Sequence, residues 1–176
     1  REAVFKILAK ESLSIHEKLI VILDMGSKIQ QCINTDEYDN IKSVVNDYLK
    51  EGIAHTLDET RNLSDSGQFE DISLQQGIRQ ILYPYEEMEV LNPEWEVILK
   101  DIIDSLFEQM SDEEYNILNE EFGTYMVSRA YEYRQLLEYL VFRYFAKSIY
   151  DYDFLGKCQM LVTNFFVIRQ MDIIRW

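Results

Sequence analysis

The chain has 176 residues, with 32 Asp and Glu against 17 Lys and Arg, a net charge of −15. That length suits one domain with a real core, and 6 Gly with 2 Pro are too few for loop-rich or β-sandwich architectures. The acidic excess argues against nucleic acid, whose phosphates are neutralised by Lys and Arg. The longest uncharged run in the apolar region, the eleven residues Cys158 to Ile168, falls short of the ~20 that span a bilayer.

The charge is uneven. Residues 1–121 hold 27 acidic against 10 basic residues, whereas residues 122–176 hold 5 against 7 and 14 of the 23 aromatics. A near-neutral, aromatic C-terminal third therefore follows an acidic remainder. No signal peptide is visible, and the chain is expected to be part of a longer protein.

Arg1–Lys10 can form a short helix burying Val4, Phe5 and Leu8. Ser14 and Glu17 have the spacing of a capping box. Behind them Ile15, Leu19, Ile22, Gly26, Ile29 and Ile33 make one stripe on a five-turn helix. Gly26 within it suits close approach of a neighbour or marks a weak point. Asn34-Thr35-Asp36 ends this helix. Tyr38, Ile41, Val44, Val45, Tyr48 and Leu49 predict the buried face of the next, with Gly52 as its C-terminal stop. Residues 53–68 predict at most a short helix and then a loop through Asn62–Gly67.

Helical spacing returns at Phe69, Ile72, Ile78, Ile81 and Leu82, and Pro84 should end or kink that helix near Tyr83. Asn92-Pro93 pairs an N-cap with proline at the first helical position. Trp95, Ile98, Leu99, Ile102, Leu106 and Met110 follow as an apolar face. Ser111 and Glu114 form a second capping box before Tyr115, Leu118 and Phe122. Two helices around 131–149 and 154–174 are apolar nearly all round, as a helix surrounded by others must be. Tyr150-Asp151-Tyr152-Asp153 separates them. The fold class predicted is all-α: a single helical bundle of seven or eight helices over residues 1–176, with these two strongly apolar C-terminal helices at its centre.

Few residues suggest chemistry. His16 and His55 stand apart from any ligand set, and zinc needs three or four convergent ligands. Asp101, Asp104 and Glu108 share a helix face at i, i+3 and i+7, which suits acid–base work, a hard cation or simply a solvated face. Cys32 and Cys158 lack metal or redox spacing and fit small buried hydrophobes in a reducing compartment. Arg134, Glu138 and Arg143 stand out because charges in an apolar helix are costly unless paired. Arg134 and Glu138, four apart, can pair. Together with Tyr133, Tyr139 and neighbouring tyrosines they suggest a structural network, a pocket for an anionic or peptide ligand, or an interface with another part of the protein. No nucleophile with its base, phosphate loop or dinucleotide motif occurs.

The run Leu136 to Lys147, then Tyr150-Asp151-Tyr152-Asp153 and Gly156-Lys157, resembles the C-terminal part of bacterial flagellin lysine-N-methylases. The closing Phe165 to Asp172 does so too, and Ser14 to Asp24 is similar to that family's early helix after a cysteine-rich region. The resemblance implies cytoplasmic methylation of flagellin lysines with S-adenosylmethionine as donor, and a cysteine-ligated metal or iron–sulfur site in the N-terminal part of the parent. With only Cys32 and Cys158 here, no cofactor is expected in this segment, and Arg134-Gln135 stands where an acidic-Asn pair is expected. The expected role is scaffold or substrate recognition, with the cysteine-rich part of the same protein and flagellin as partners. A ligand- or partner-binding helical module, such as the effector domain of a transcription regulator, is the other reading the residues admit.

Overall fold

The computed structural model describes residues 1–65, 73–86 and 92–176. Among them all regular structure is helical and no strand occurs, as the 3.6-residue periodicity predicts. The helices are α1 (Glu2–Leu8), α2 (Ile15–Asn34), α3 (Ile41–Asp47), α4 (Ile53–Asp65), α5 (Leu74–Glu86), α6 (Pro93–Ile103), α7 (Asp112–Met126), α8 (Ala130–Tyr144), α9 (Ser148–Asp151) and α10 (Phe154–Arg175). With α3 and α4 counted as one helix and the four-residue α9 set aside, the described residues form eight.

They divide into two compact units: Arg1–Phe69 with Ala130–Val162, and Glu70–Arg129 with Thr163–Trp176. The long α10 contributes its first part to one and its last part to the other.

In the first unit α1 packs on α2 and α8, and α2 packs on α3, α4 and α8. The predicted stripe of α2 buries Leu19, Ile22, Gly26 and Ile29, while its ends Ile15 and Ile33 are half-buried; Lys18, Val21, Met25 and Cys32, on its flanks, are buried as well. Its N-terminus carries the predicted capping box: Ser14 N donates to Glu17 Oε2 at 2.8 Å and Glu17 N to Ser14 Oγ at 3.2 Å. Gly26 is a close approach, because a Cβ there would lie 2.7 Å from Cys158 Sγ on α10.

In the second unit Ile78, Leu82, Ile102, Leu106, Tyr115 and Val167 form the core. Asn92 caps α6, accepting from Glu94 N at 3.0 Å, and Ser111 with Glu114 closes the second capping box at the start of α7. Within this core Tyr115 donates to Gln170 Oε1 at 2.8 Å, and burial pushes its phenol up to about 12.

Enclosure differs between the two C-terminal helices. Along α10 only Gln159 and Arg175 are exposed. On α8 one face buries Tyr133, Leu137, Leu140 and Val141, while Tyr131, Tyr139 and Phe142 are exposed.

Several elements depart from the sequence expectation. Gly52 does not stop a helix. It lies in a π turn, Tyr48–Gly52, that carries α3 on into the thirteen-residue α4, so residues 53–65 are helical. Pro84 lies inside α5, which runs two residues further to Glu86. A missing amide this near the helix end costs one bond in the last turn only. A second π turn, Asp104–Glu108, extends α6, and Gln75 Nε2 donates to the Leu106 and Met110 carbonyls there. Phe69, Ile72 and Gly67 lie outside the described residues.

Candidate functional site

The expected buried face of residues 38–49 is mostly not buried. Only Tyr48 is enclosed; Ile41, Val44 and Val45 are half-buried and Tyr38 is exposed. The physical reason is a cleft. A cavity of about 350 Å³ opens in the first unit, walled by Ala3 and Val4 of α1, Met25, Ile29 and Ile33 of α2, Ile41 and Val45 of α3, and Ile149 and Phe154. This is an apolar pocket of a size that holds several side chains. Arg1, the charged residue on the wall, places its guanidinium over the Phe142 ring at 5.7 Å from the centroid.

Tyr38, Ser148 and Tyr152 complete the lining. The two non-glycine residues with positive φ among those described, Asp36 (φ 57) and Tyr152 (φ 56), are both beside it. Asp36 takes the left-handed position of a Schellman turn that ends α2. Its amide donates to the Ile33 carbonyl at 3.2 Å and that of Glu37 to the Cys32 carbonyl at 2.8 Å. The turn sends the chain back over the cleft, and Tyr38 donates to Asp36 Oδ1 at 3.3 Å. Asp36, Glu37 and Asp39 make this side of the mouth acidic and exposed.

Tyr152 is held from the opposite side by Gln30. The Gln30 amide donates to the Tyr152 carbonyl at 2.9 Å, and its Oε1 accepts from Phe154 N at 2.8 Å and Leu155 N at 3.1 Å. A side chain of α2 thus serves as a remote N-cap for α10, taking amides that would otherwise be orphaned. Asp153 adds the local cap, accepting from Gly156 N at 2.8 Å. Gly156 leaves room for this cap, since a Cβ there would fall 2.1 Å from Asp153 Oδ2 and displace the carboxylate. Lys157 pairs with Asp151 at 2.6 Å and Asp153 at 3.7 Å, raising its own pKa and lowering that of Asp151.

Below the mouth, Asp24 ties three elements together. Its Oδ2 accepts from Thr56 Oγ1 at 2.6 Å, from the Tyr48 hydroxyl and from Lys28 Nζ at 3.3 Å. Burial alone pushes this carboxyl up, and the donated hydrogen bonds with Lys28 outweigh it, leaving Asp24 below the ordinary carboxylate range.

The predicted site residues are dispersed. Tyr133 is buried in the core. Arg134 Nε and Glu138 Oε1 lie 3.7 Å apart with both side chains over a third exposed. Tyr139 and Arg143 are exposed further along α8. Sequence spacing missed Lys18, whose side chain is only 6 % exposed and lines a second cavity with Arg134. The available signal was its position four residues from both Ser14 and Ile22, on the flank of the α2 stripe. The π turn over Asp104–Glu108 resets the register between Asp101 and Glu108, so the inferred carboxylate face is broken. Among the described residues no three His, Cys, Asp or Glu gather to hold a metal ion.

A model of the family described as the FliB lysine N-methylase C-terminal domain matches residues 1–176, the whole chain. The chain belongs to that family. No curated protein and no solved structure matches it. Within the family domain, the segments that carry the resemblance have structural meaning here. Ser14 to Asp24 is the capped start of α2, Tyr150–Asp153 with Gly156-Lys157 is the cap of α10 and one side of the cleft mouth, and Phe165 to Asp172 is α10 in the second unit.

A cysteine-ligated centre does not fit these residues. Cys32 and Cys158 are both buried, and burial pushes the Cys158 thiol up to about 12, the opposite of the thiolate a metal requires. No helix among the described residues is long and apolar enough to cross a membrane.

Proposed function

We propose that this domain recognises the protein substrate in flagellin lysine methylation, with the apolar cleft of the first unit receiving a lysine-bearing segment. The observation that supports the reading most directly is the cleft itself. Aliphatic walls suit apolar side chains of an extended or helical segment, two tyrosines stand at the mouth, and Asp36, Glu37 and Asp39 offer negative charge to a neighbouring lysine. Tyrosine faces attract cationic side chains and their alkyl stems. The family's lysine N-methylase description points to that substrate class. On this reading methyl transfer takes place in the cytoplasm, S-adenosylmethionine is the donor, and the donor site with any cysteine-ligated centre belongs to the cysteine-rich part of the parent, on which this domain packs.

The test uses the full-length methylase and flagellin. Tyr38→Ala and Ile41→Glu alter the mouth and wall at exposed or half-buried positions that the core does not depend on. We expect KM for flagellin to rise about tenfold with kcat little changed, the signature of lost substrate binding. Unchanged KM in both variants, or a fall in kcat at constant KM, overturns recognition by this cleft.

A further inference from the structure

The second cavity of the first unit, about 230 Å³, is lined by the start of α2 and the opening turns of α8. Lys18 and Arg134 both face it. Lys18 is only 6 % exposed, and none of the described acidic residues forms an ion pair with it. Burial holds its ammonium below the ordinary lysine range, and Arg134 adds repulsion. Glu11 and Glu138 act against that shift without contact. Arg134 has a buried Nε with no hydrogen-bond partner, 3.7 Å from Glu138 Oε1.

Lys18 therefore shares this cavity with Arg134, whose ion pair with Glu138 at 3.7 Å leaves the buried Nε without a hydrogen bond, beside the positive end of a twenty-residue helix. Ser14 is engaged in the capping box, its hydroxyl donating to Glu17 Oε2 at 2.9 Å and accepting from Glu17 N, and makes no hydrogen bond to either cation. Bringing like charges together under desolvation is unfavourable, and a buried cation is normally paired. A planar oxyanion between them would complete the arrangement, because guanidinium and ammonium give the strongest carboxylate hydrogen bonds. The volume is several times the ~30 Å³ share of one water.

We propose that the Lys18–Arg134 cavity binds a carboxylate, its oxygens shared between the Lys18 ammonium and the Arg134 guanidinium. The proposal is independent of the apolar cleft. Two sources carry that group: the side chain of an acidic residue on a protein segment, and the α-carboxylate of an amino-acid ligand. Glu11 on the same wall distinguishes them, because it would receive the ammonium of an α-amino acid and repel a second carboxylate.

The probes are acetate, N-acetyl-aspartyl amide and glycine, titrated into the chain at ionic strength matched with sodium chloride while the Lys18 ε-methylene resonance and Tm are followed. We expect a saturable shift of that resonance and a rise in Tm with at least one carboxylate probe. Affinity should weaken about tenfold or more in Arg134→Gln, and the rise in Tm should vanish in Lys18→Met. Lys18→Met should itself melt no lower than the native chain, since it removes an uncompensated charge. If it does not fold, Arg134→Gln, at a part-exposed position, still decides. Tighter binding of glycine than acetate assigns an amino-acid ligand; tighter binding of the capped aspartate assigns an acidic protein segment. Sodium chloride producing the same shift, or Arg134→Gln binding as the native chain does, overturns the site.

Discussion

Gly26→Ala puts the packing of α2 against α10 to a direct test. In the middle of a helix this change favours folding by ~1 kcal/mol, because glycine has more chain entropy to lose. Here the added Cβ would meet Cys158 Sγ at 2.7 Å, Cys158 Cβ at 3.2 Å and Leu155 Cδ1 at 3.6 Å. Cys158 is fully buried, and its sulfur sits one bond beyond a Cβ anchored to the α10 backbone. The sulfur has little room to rotate away, so relief requires a shift of the helices themselves. Overpacking of this kind costs ~1–3 kcal/mol. The net expectation is destabilisation by up to ~2 kcal/mol, a fall in Tm of up to ~8 °C for a chain of this size. Denaturant midpoints of the native chain, Gly26→Ala, Cys158→Ala and the double variant complete a cycle. Removing the sulfur should reduce the cost of the alanine to near zero, a coupling of ~1 kcal/mol or more. A Gly26→Ala chain more stable than native, or one equally destabilised with and without the sulfur, would refute the close approach.

Gln30→Ala should expose the first-turn amides of α10, with hydrogen exchange at Phe154 and Leu155 accelerated and stability lowered by ~1–2 kcal/mol; unchanged exchange there would remove the remote cap. Asp24 governs an acid response. Its folded pKa lies below the unfolded one, so its contribution is present above the ordinary carboxylate value of ~3.9 and is lost as pH falls through the folded value. Asp24→Asn should therefore flatten the loss of Tm at and below ~pH 4 relative to the native chain, and a parallel decline in both would contradict the hydrogen-bonded carboxylate.

The elements that were legible in sequence are those set by local chemistry. Ser14 with Glu17, Ser111 with Glu114 and Asn92-Pro93 each satisfy amides within three residues, so the cap is written where it acts. The α2 stripe was equally visible, down to the glycine at the helix contact. Glycine at position 52 is compatible with a helix stop and with a helix that continues, and here the chain continues through a π turn whose Tyr48 donates to Asp24 on α2. The full extent of α4 followed from that continuation. Arg134 and Glu138 were recognisable as costly charges, but the residue that gives their surroundings meaning is Lys18. Its burial depends on α8 lying over the first turn of α2, a contact across more than a hundred positions of chain.

Helical periodicity assigns a residue to a face without saying what that face meets. Ile33, Ile41 and Val45 look like core positions by spacing, and here they line the apolar wall of a cavity. Gln30 then links this wall to the core. Its amide fixes the backbone of Tyr152 at the mouth, and its carbonyl caps α10, whose first part belongs to the first unit. Substitution at Gln30 should therefore disturb the mouth and stability together, whereas substitution at Tyr38 or Ile41 should disturb binding alone. That separation is what a binding cleft beside a load-carrying cap requires, and a defect of packing in the same place would not produce it.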